Sequence, residues 1–303
     1  MTARLALAVD IGGTKIAAAI VDEHGRILER GEVSTPAMDG SERILDEALS
    51  LATGVAGKSE IAAVGVGSAG VIDRRGRVSS ATGTLAAWAG ADIAGAFRES
   101  FRLPVRVVND VHTHAVGEAV RGAGRGKDTV LVVAAGTGIG GAIVTDGAPA
   151  LGAHGAAGHL GHIPSPAAAG LLCSCGRLGH LEAIAAGPAM HAAYLRAGGD
   201  ATTAEARAVV ARVDTDQTAA ATVRVAAAAL GSAIGGLVNT VDPDVVVVAG
   251  GLSGAGEHWW DALLAAARAD AMPSLESVPI VPAELGPDAA LVGAADLAVR
   301  ELR

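Results

Sequence analysis

DIGGTKIAAAIV, residues 10–21, returns in altered form as GTGIGGAIV, residues 136–144. Gly13–Val21 and Gly136–Val144 both fit Gly-Thr-x-Ile-x-x-Ala-Ile-Val, 123 positions apart (13 to 136). Each copy reads as a strand leaving a tight glycine turn. The repeat predicts two similar halves, each opening with a strand–turn–strand hairpin. At 303 residues the chain exceeds what one core usually covers, which also favours two domains.

The pattern spreads outward from the first copy. LALAVD, IAAAIV and RILERGEV read as three strands, with Asp22-Glu-His-Gly25 as a hairpin turn. In SERILDEALSLATGVAG the apolar residues Ile44, Leu45, Ala48, Leu49 and Ala52 recur at helical spacing. IAAVGVGSAGVID is a buried strand running into a glycine loop. VRVVND is a short strand, and a helix follows it. In the second half TAAATVRVAAAALGSAIGGLVNTV reads as a long buried helix, with Asp214 or Asp216 as its cap and Asp242-Pro243 as its stop. DVVVVAGG is a fully buried strand, and DAALVGAADLAVREL an amphipathic helix. The expected class is α/β, two duplicated domains flanking a cleft, with boundaries at 1–116 and 117–303. The last helix is expected to pack back on the N-terminal domain.

Composition narrows the function. Half the residues are apolar but only 2% are aromatic, so the cores must bring backbone close to backbone. The net charge is −9 with no basic run, a poor match for nucleic acid or an anionic membrane. The most apolar stretch is rich in Gly and Ala and broken by Ser232, which reads as a core helix, not a membrane span. A cytoplasmic protein with reduced thiols is the expectation.

Glycine turns at strand ends let backbone N–H groups approach phosphate oxygens. Three occur here: Gly12-Gly13-Thr14, Gly136-Thr137-Gly138 and Gly250-Gly251. None continues as a P-loop or as a dinucleotide fingerprint. Together with Asp10 and Asp110 they suggest a nucleotide cleft.

At this point the chain resembles the ROK family (repressor, open reading frame, kinase) of sugar kinases, within the actin-like, ribonuclease H-like ATPases. DIGGTK matches its first phosphate motif and GVGSAGVID the loop below the sugar. VVND matches the catalytic strand, AAGTGIGGAIV the second phosphate motif and VVVVAGGLS the adenosine region. The resemblance implies that Asp110 is the general base for the sugar hydroxyl and that Asn109 binds a neighbouring hydroxyl. It implies that Asp10 orients Mg²⁺, and that Gly12, Gly13, Thr14, Lys15, Thr137, Gly138, Gly250 and Gly251 hold ATP. Ala69, Gly70 and Thr82 would sit under the sugar. His112 and His114 are expected to be ordinary helix residues. A homodimer is expected from the resemblance alone.

GHLGHIPSPAAAGLLCSCGRLGHLE, residues 158–182, holds both cysteines of the chain. Cys173 and Cys175 are too close for an unstrained disulfide. Cys173, Cys175 and His180, with His162, form a donor set suited to tetrahedral Zn²⁺. The family motif has Cys where this chain has His180, and Glu where it has His159. Glu182 and the free edge of His162 would bind sugar hydroxyls. The resemblance implies an ATP-dependent hexose kinase acting at the 6-hydroxyl. His159 points to a glucose-like substrate altered at the 2- or 3-position, an amino sugar such as kanosamine (3-amino-3-deoxyglucose) first; an ordinary glucokinase is the alternative. A repressor of the family would carry a helix-turn-helix before its first phosphate motif, so that class is not expected. A non-catalytic sugar sensor would not need Asp10, Asp110 and Glu182 together.

Overall fold

The computed structural model describes residues 4–81 and 83–302. The chain divides into two compact units. The first comprises residues 1–126, 144–157 and 284–303, and the second 127–143 and 158–283.

The first unit contains β1 (Leu5–Ile11), β2 (Lys15–Val21), β3 (Ile27–Ser34), α1 (Ser41–Ala56), β4 (Ile61–Ser68), β5 (Val71–Ile72) and β6 (Val78–Ser80). It continues with α2 (Ile93–Phe101), β7 (Val105–Asn109) and α3 (Asp110–Arg121). Its sheet has the order β3-β2-β1-β4-β7. The two hairpins pair antiparallel, while β1, β4 and β7 run parallel.

Alternation along β1 splits the core in two. Leu7, Val9 and Ile11 face a cluster with Ile44 and Ala48 of α1 and Ile93 and Phe97 of α2. Ala6 and Ala8 face the other way, onto Leu291, Ala294 and Ala295 of the last helix. That alanine-walled face accounts for the low aromatic content, because a helix seated on it approaches the backbone itself.

The rest of the chain forms β8 (Thr129–Ala135), β9 (Ile139–Thr145), β10 (Ala148–Pro149), α4 (Glu182–Ala185), α5 (Gly187–Arg196), α6 (Ala206–Val210) and α7 (Gln217–Val241). It continues with β11 (Val245–Ala249), α8 (Glu257–Asp270) and β12 (Ile280–Pro282). The end of β9 and β10 group with the first unit, as does α9 (Ala289–Arg300). The sheet order is β10-β9-β8-β11-β12, the same order as in the first unit, so the sequence repeat is a repeat of topology. One difference carries chemistry. Counted by the repeat, Asp10 corresponds to Val133, which is fully buried in the apolar core of its sheet. Only the first unit therefore offers a carboxylate at the end of its first strand.

Two expectations need correction. A boundary at 116/117 falls inside α3; the units part after Gly126, beyond the end of that helix. The second domain is also not one continuous piece: residues 144–157 belong with the first unit, as do residues 284–303, where the last helix was expected to pack. The reason is packing. A Cβ on Gly117 of α3 would lie 2.1 Å from the carbonyl oxygen of Ala289, and one on Gly293 of α9 would lie 1.8 Å from that of Thr113. The two helices meet backbone to backbone and cannot be assigned to different bodies.

Helix α7 is long and apolar enough to cross a membrane by length and composition, with a mean hydropathy of 1.6 in its most apolar window. Half of that window is buried, and Val223, Ala227, Leu230 and Ile234 join Trp259 and Leu263 of α8 in one core. Asp216 caps the helix, accepting from Thr218 N at 2.8 Å and Ala219 N at 3.2 Å. Asp214 instead meets His258.

Candidate active site

Asp10 and Asp110 come from the C-terminal ends of β1 and β7 in the first unit, where parallel strands of such sheets present ligand groups. Asp10 Oδ1 is buried and has no hydrogen-bond partner. Burial, and next the charge of Asp110, push the Asp10 carboxyl up to about 7, with Lys15 opposing. A buried, unsatisfied carboxylate oxygen beside a second carboxylate is a poor structural element and a good cation ligand. The donor set fits Mg²⁺.

The sign of this shift gives a prediction. The folded chain holds the Asp10 proton more tightly than the unfolded chain, whose value is near 4. Native stability should therefore fall as pH rises from about 4 to about 7 and level off above. Asp10→Asn should flatten that slope in denaturant titrations run in EDTA. Mg²⁺ should stabilise the wild type at pH 8, and Asp10→Asn should remove that stabilisation. An unchanged slope in the variant would contradict the assignment.

Asp110 opens α3. Its Oδ1 accepts from its neighbour Val111 N at 2.9 Å and from Asn109 Nδ2 at 2.8 Å. Asn109 caps the helix by accepting from Val111 N at 3.0 Å, and its Nδ2 also donates to Gly70 O at 2.9 Å. Both hydrogens of the amide are thus engaged within the protein. In this state Asn109 aims Asp110 and braces the Gly70 loop. The indole of Trp88, fully buried, adds a second brace by donating to Ser68 Oγ at 3.2 Å and Ala69 O at 3.1 Å. Nothing in the sequence marked Trp88. Thr82, the third residue expected under the sugar, lies outside the described residues.

The three glycine turns share one feature: internal donors take up their carbonyl groups. Thr35 donates through Oγ1 to Gly12 O at 2.7 Å and through N to Thr14 O at 3.0 Å. Gly187 N donates to Gly136 O at 2.8 Å, and Ser253 Oγ to Gly250 O at 2.7 Å. Gly12 N and Gly136 N are themselves spent on Lys15 O and Gly138 O, so an anion would be met by the other N–H groups of the turns. Lys15 Nζ sits 2.8 Å from Glu32, with both side chains nearly half exposed, so the pair is weak enough to be exchanged for a phosphate.

In the second unit, Gly136, Thr137, Gly187, Gly251 and Ala255 line a cavity of about 620 Å³, within the range of small-molecule sites. Gly138 serves a neighbouring group. A Cβ there would stand 2.7 Å from Glu182 Oε2, so only glycine lets that carboxylate reach Ile139 N at 2.9 Å. Ser174 Oγ donates to the other oxygen of Glu182 at 2.5 Å.

Ser174 lies between the two cysteines. Ligand atoms of His162, Cys173, Cys175 and His180 all lie within 4.8 Å of one another. Cys173 Sγ is 3.5 Å from His162 Nδ1, and Cys175 Sγ is 3.2 Å from His180 Nδ1. Tetrahedral zinc with bonds of about 2.0–2.3 Å separates neighbouring ligands by roughly 3.3–3.8 Å, so the set fits with little adjustment. His162 turns Nδ1 into this cluster, which leaves Nε2 for another partner. The exposed His159 ring stands 6.1 Å from that of His162, near parallel to it.

The profile described as the ROK family matches residues 6–301. The chain is 33% identical to a glucokinase of Streptomyces coelicolor, over 97% of each chain. It is also 33% identical to an N-acetylmannosamine kinase of Escherichia coli, over 97% of this chain and 98% of the relative. Among solved structures it resembles a ROK family glucokinase from Streptomyces griseus in complex with glucose and AMPPNP. That match has a TM-score of 0.82 and 33% identity, and covers 98% of this chain and 99% of the other.

Proposed function

The chain belongs to the ROK family, and within it we propose an ATP-dependent kinase that transfers the γ-phosphoryl group to the 6-hydroxyl of a glucose-like hexose. The observation that carries this reading is the coupled pair Asp10 and Asp110 at the strand ends beside the first glycine turn. Asp110 takes the proton of the 6-hydroxyl as that oxygen attacks the γ-phosphorus, and ADP leaves. Asn109 holds Asp110 in place. Asp10 would hold Mg²⁺, which would supply charge neutralisation at the phosphate oxygens. The glycine turns hold the phosphates, with Thr14, Lys15, Thr137 and Gly138, and the cavity next to Gly251 takes the adenosine. Ala69 and Gly70 floor the sugar site. His162, Cys173, Cys175 and His180 would hold Zn²⁺, which would fix the segment that carries Glu182, and Glu182 and His162 bind sugar hydroxyls. A cytoplasmic homodimer completes the reading.

His159 sets the substrate. A carboxylate at this position would accept several hydrogen bonds, whereas a neutral imidazole accepts one and donates one. A site built for one donor pattern rejects an analogue that leaves its groups unpaired. We therefore assign a glucose-like sugar altered at position 2 or 3, with 3-amino-3-deoxyglucose first. Its amine would be bound neutral or held by Glu182. The similarity to an N-acetylmannosamine kinase supports an amino sugar, and that to glucokinases favours glucose as the second reading. A coupled ATP-consumption assay over hexoses and amino sugars decides. Wild type should show a higher kcat/KM for the 3-modified sugar than for glucose, and His159→Glu should shift the preference towards glucose. A wild-type preference for glucose that His159→Glu leaves unchanged would refute the substrate and spare the kinase.

A further inference from the structure

His191 stands on α5 one turn beyond Gly187, and both residues line the 620 Å³ cavity. Its Nε2 lies 3.0 Å from Thr203 O and 3.2 Å from Thr203 Oγ1. The carbonyl can only accept. The hydroxyl spends its own hydrogen on Asp200 O at 2.8 Å, so towards the imidazole it too can only accept. Nε2 must therefore carry a hydrogen, and in the neutral ring Nδ1 is left as a bare lone pair. No hydrogen bond reaches Nδ1 from the described residues.

This tautomer is built into the unit. Asp200 donates its N–H to Tyr194 Oη at 2.9 Å, and its carboxylate accepts from Arg212 at 3.0 Å. Tyr194 in turn donates to Asp216, the residue that caps α7. A network that reaches the longest helix of the unit thus holds Thr203 and, through it, the orientation of one imidazole on a cavity wall.

On the premise that this cavity holds the nucleotide, we propose that His191 reads the purine: its Nδ1 accepts a hydrogen bond from the 6-amino group of adenine. A 6-oxo purine would bring a lone pair against a lone pair. His191 is then a specificity-determining residue for the phosphoryl donor, separate from the groups that hold the phosphates.

The test compares kcat/KM for ATP with that for purine riboside 5′-triphosphate, which lacks only the 6-amino group, at saturating sugar. Wild type should favour ATP by about tenfold, the scale of one hydrogen bond. His191→Phe keeps the ring volume and should bring the ratio to within about twofold of one. A wild-type ratio near one overturns the proposal whatever the variant does, as does a ratio that His191→Phe leaves unchanged. Ala206→Trp tests the premise separately by filling the cavity. A KM for ATP that rises at least tenfold in that variant supports the premise. An unchanged KM places the nucleotide elsewhere and removes the basis for His191.

Discussion

Asp110→Asn should fold normally and lose at least about 10²-fold in kcat, the usual scale for removal of a general base. The contacts of this side chain explain both halves of that result. Asp110 Oδ1 accepts from Val111 N and Asn109 Nδ2, and the amide oxygen of asparagine can accept the same two bonds. The helix start is therefore preserved. An amide cannot take up the proton of an attacking hydroxyl, so the loss should fall on turnover. Removing the negative charge should also lower the pKa of Asp10, because Asp110 is one of the two influences that raise it. Sugar affinity should stay close to that of the wild type. Near-normal turnover in a folded Asp110→Asn protein would sink the assignment of the base.

The sequence carried the architecture for a physical reason. A strand that must end in a glycine turn and re-enter its own sheet needs small residues at fixed spacing, so the repeat was visible as letters. The stop of α7 at Asp242-Pro243 was visible for the same reason, because it is local, while the cap was narrowed only to Asp214 or Asp216. The domain boundary was not. The last helix was expected on the N-terminal domain, but the extent of that unit through the whole of α3 follows from the backbone meeting of Gly117 and Gly293, 176 positions apart (117 to 293). The site divides along the same line. Asp10 and Asp110 stood at recognisable strand ends. The brace from Trp88 to Ser68 and Ala69, the bond from Ser174 to Glu182 and the tie from His191 to Thr203 are made only when the chain folds. The sequence expectation for Asn109 was a hydroxyl ligand. In the structure its amide donates to Gly70 O and Asp110 Oδ1, contacts that no spacing rule announces.

The cysteine segment carries the other large effect. Protein purified without added metal should contain one zinc per chain, and Cys175→Ala or chelation should weaken sugar binding far more than ATP binding. The route runs through short covalent paths. Cys173, Ser174 and Cys175 are consecutive, and Ser174 donates to Glu182, whose other oxygen holds Ile139 N. The hairpin that carries them has few stabilising contacts of its own: Leu172 and Leu178 pair across it with 70% and 64% of their surfaces exposed. Burial raises the Cys173 thiol above its ordinary value, so without a cation the cluster holds a thiol where a ligand thiolate is needed. Zinc bound by these four residues would invert that preference and supply the stability that the hairpin lacks. Losing one of four ligands should therefore release residues 159–182 together, including both oxygens of Glu182, and raise the KM for sugar by at least about tenfold. The cavity proposed for the nucleotide is lined by Gly136, Thr137, Gly187 and Gly251, which are anchored on β8, α5 and β11, so the KM for ATP should change by less than about threefold. Hydrogen exchange would show the loss of protection confined to the segment. Elemental analysis that finds no bound zinc in active enzyme, or equal losses of sugar and ATP affinity in Cys175→Ala, would refute this account.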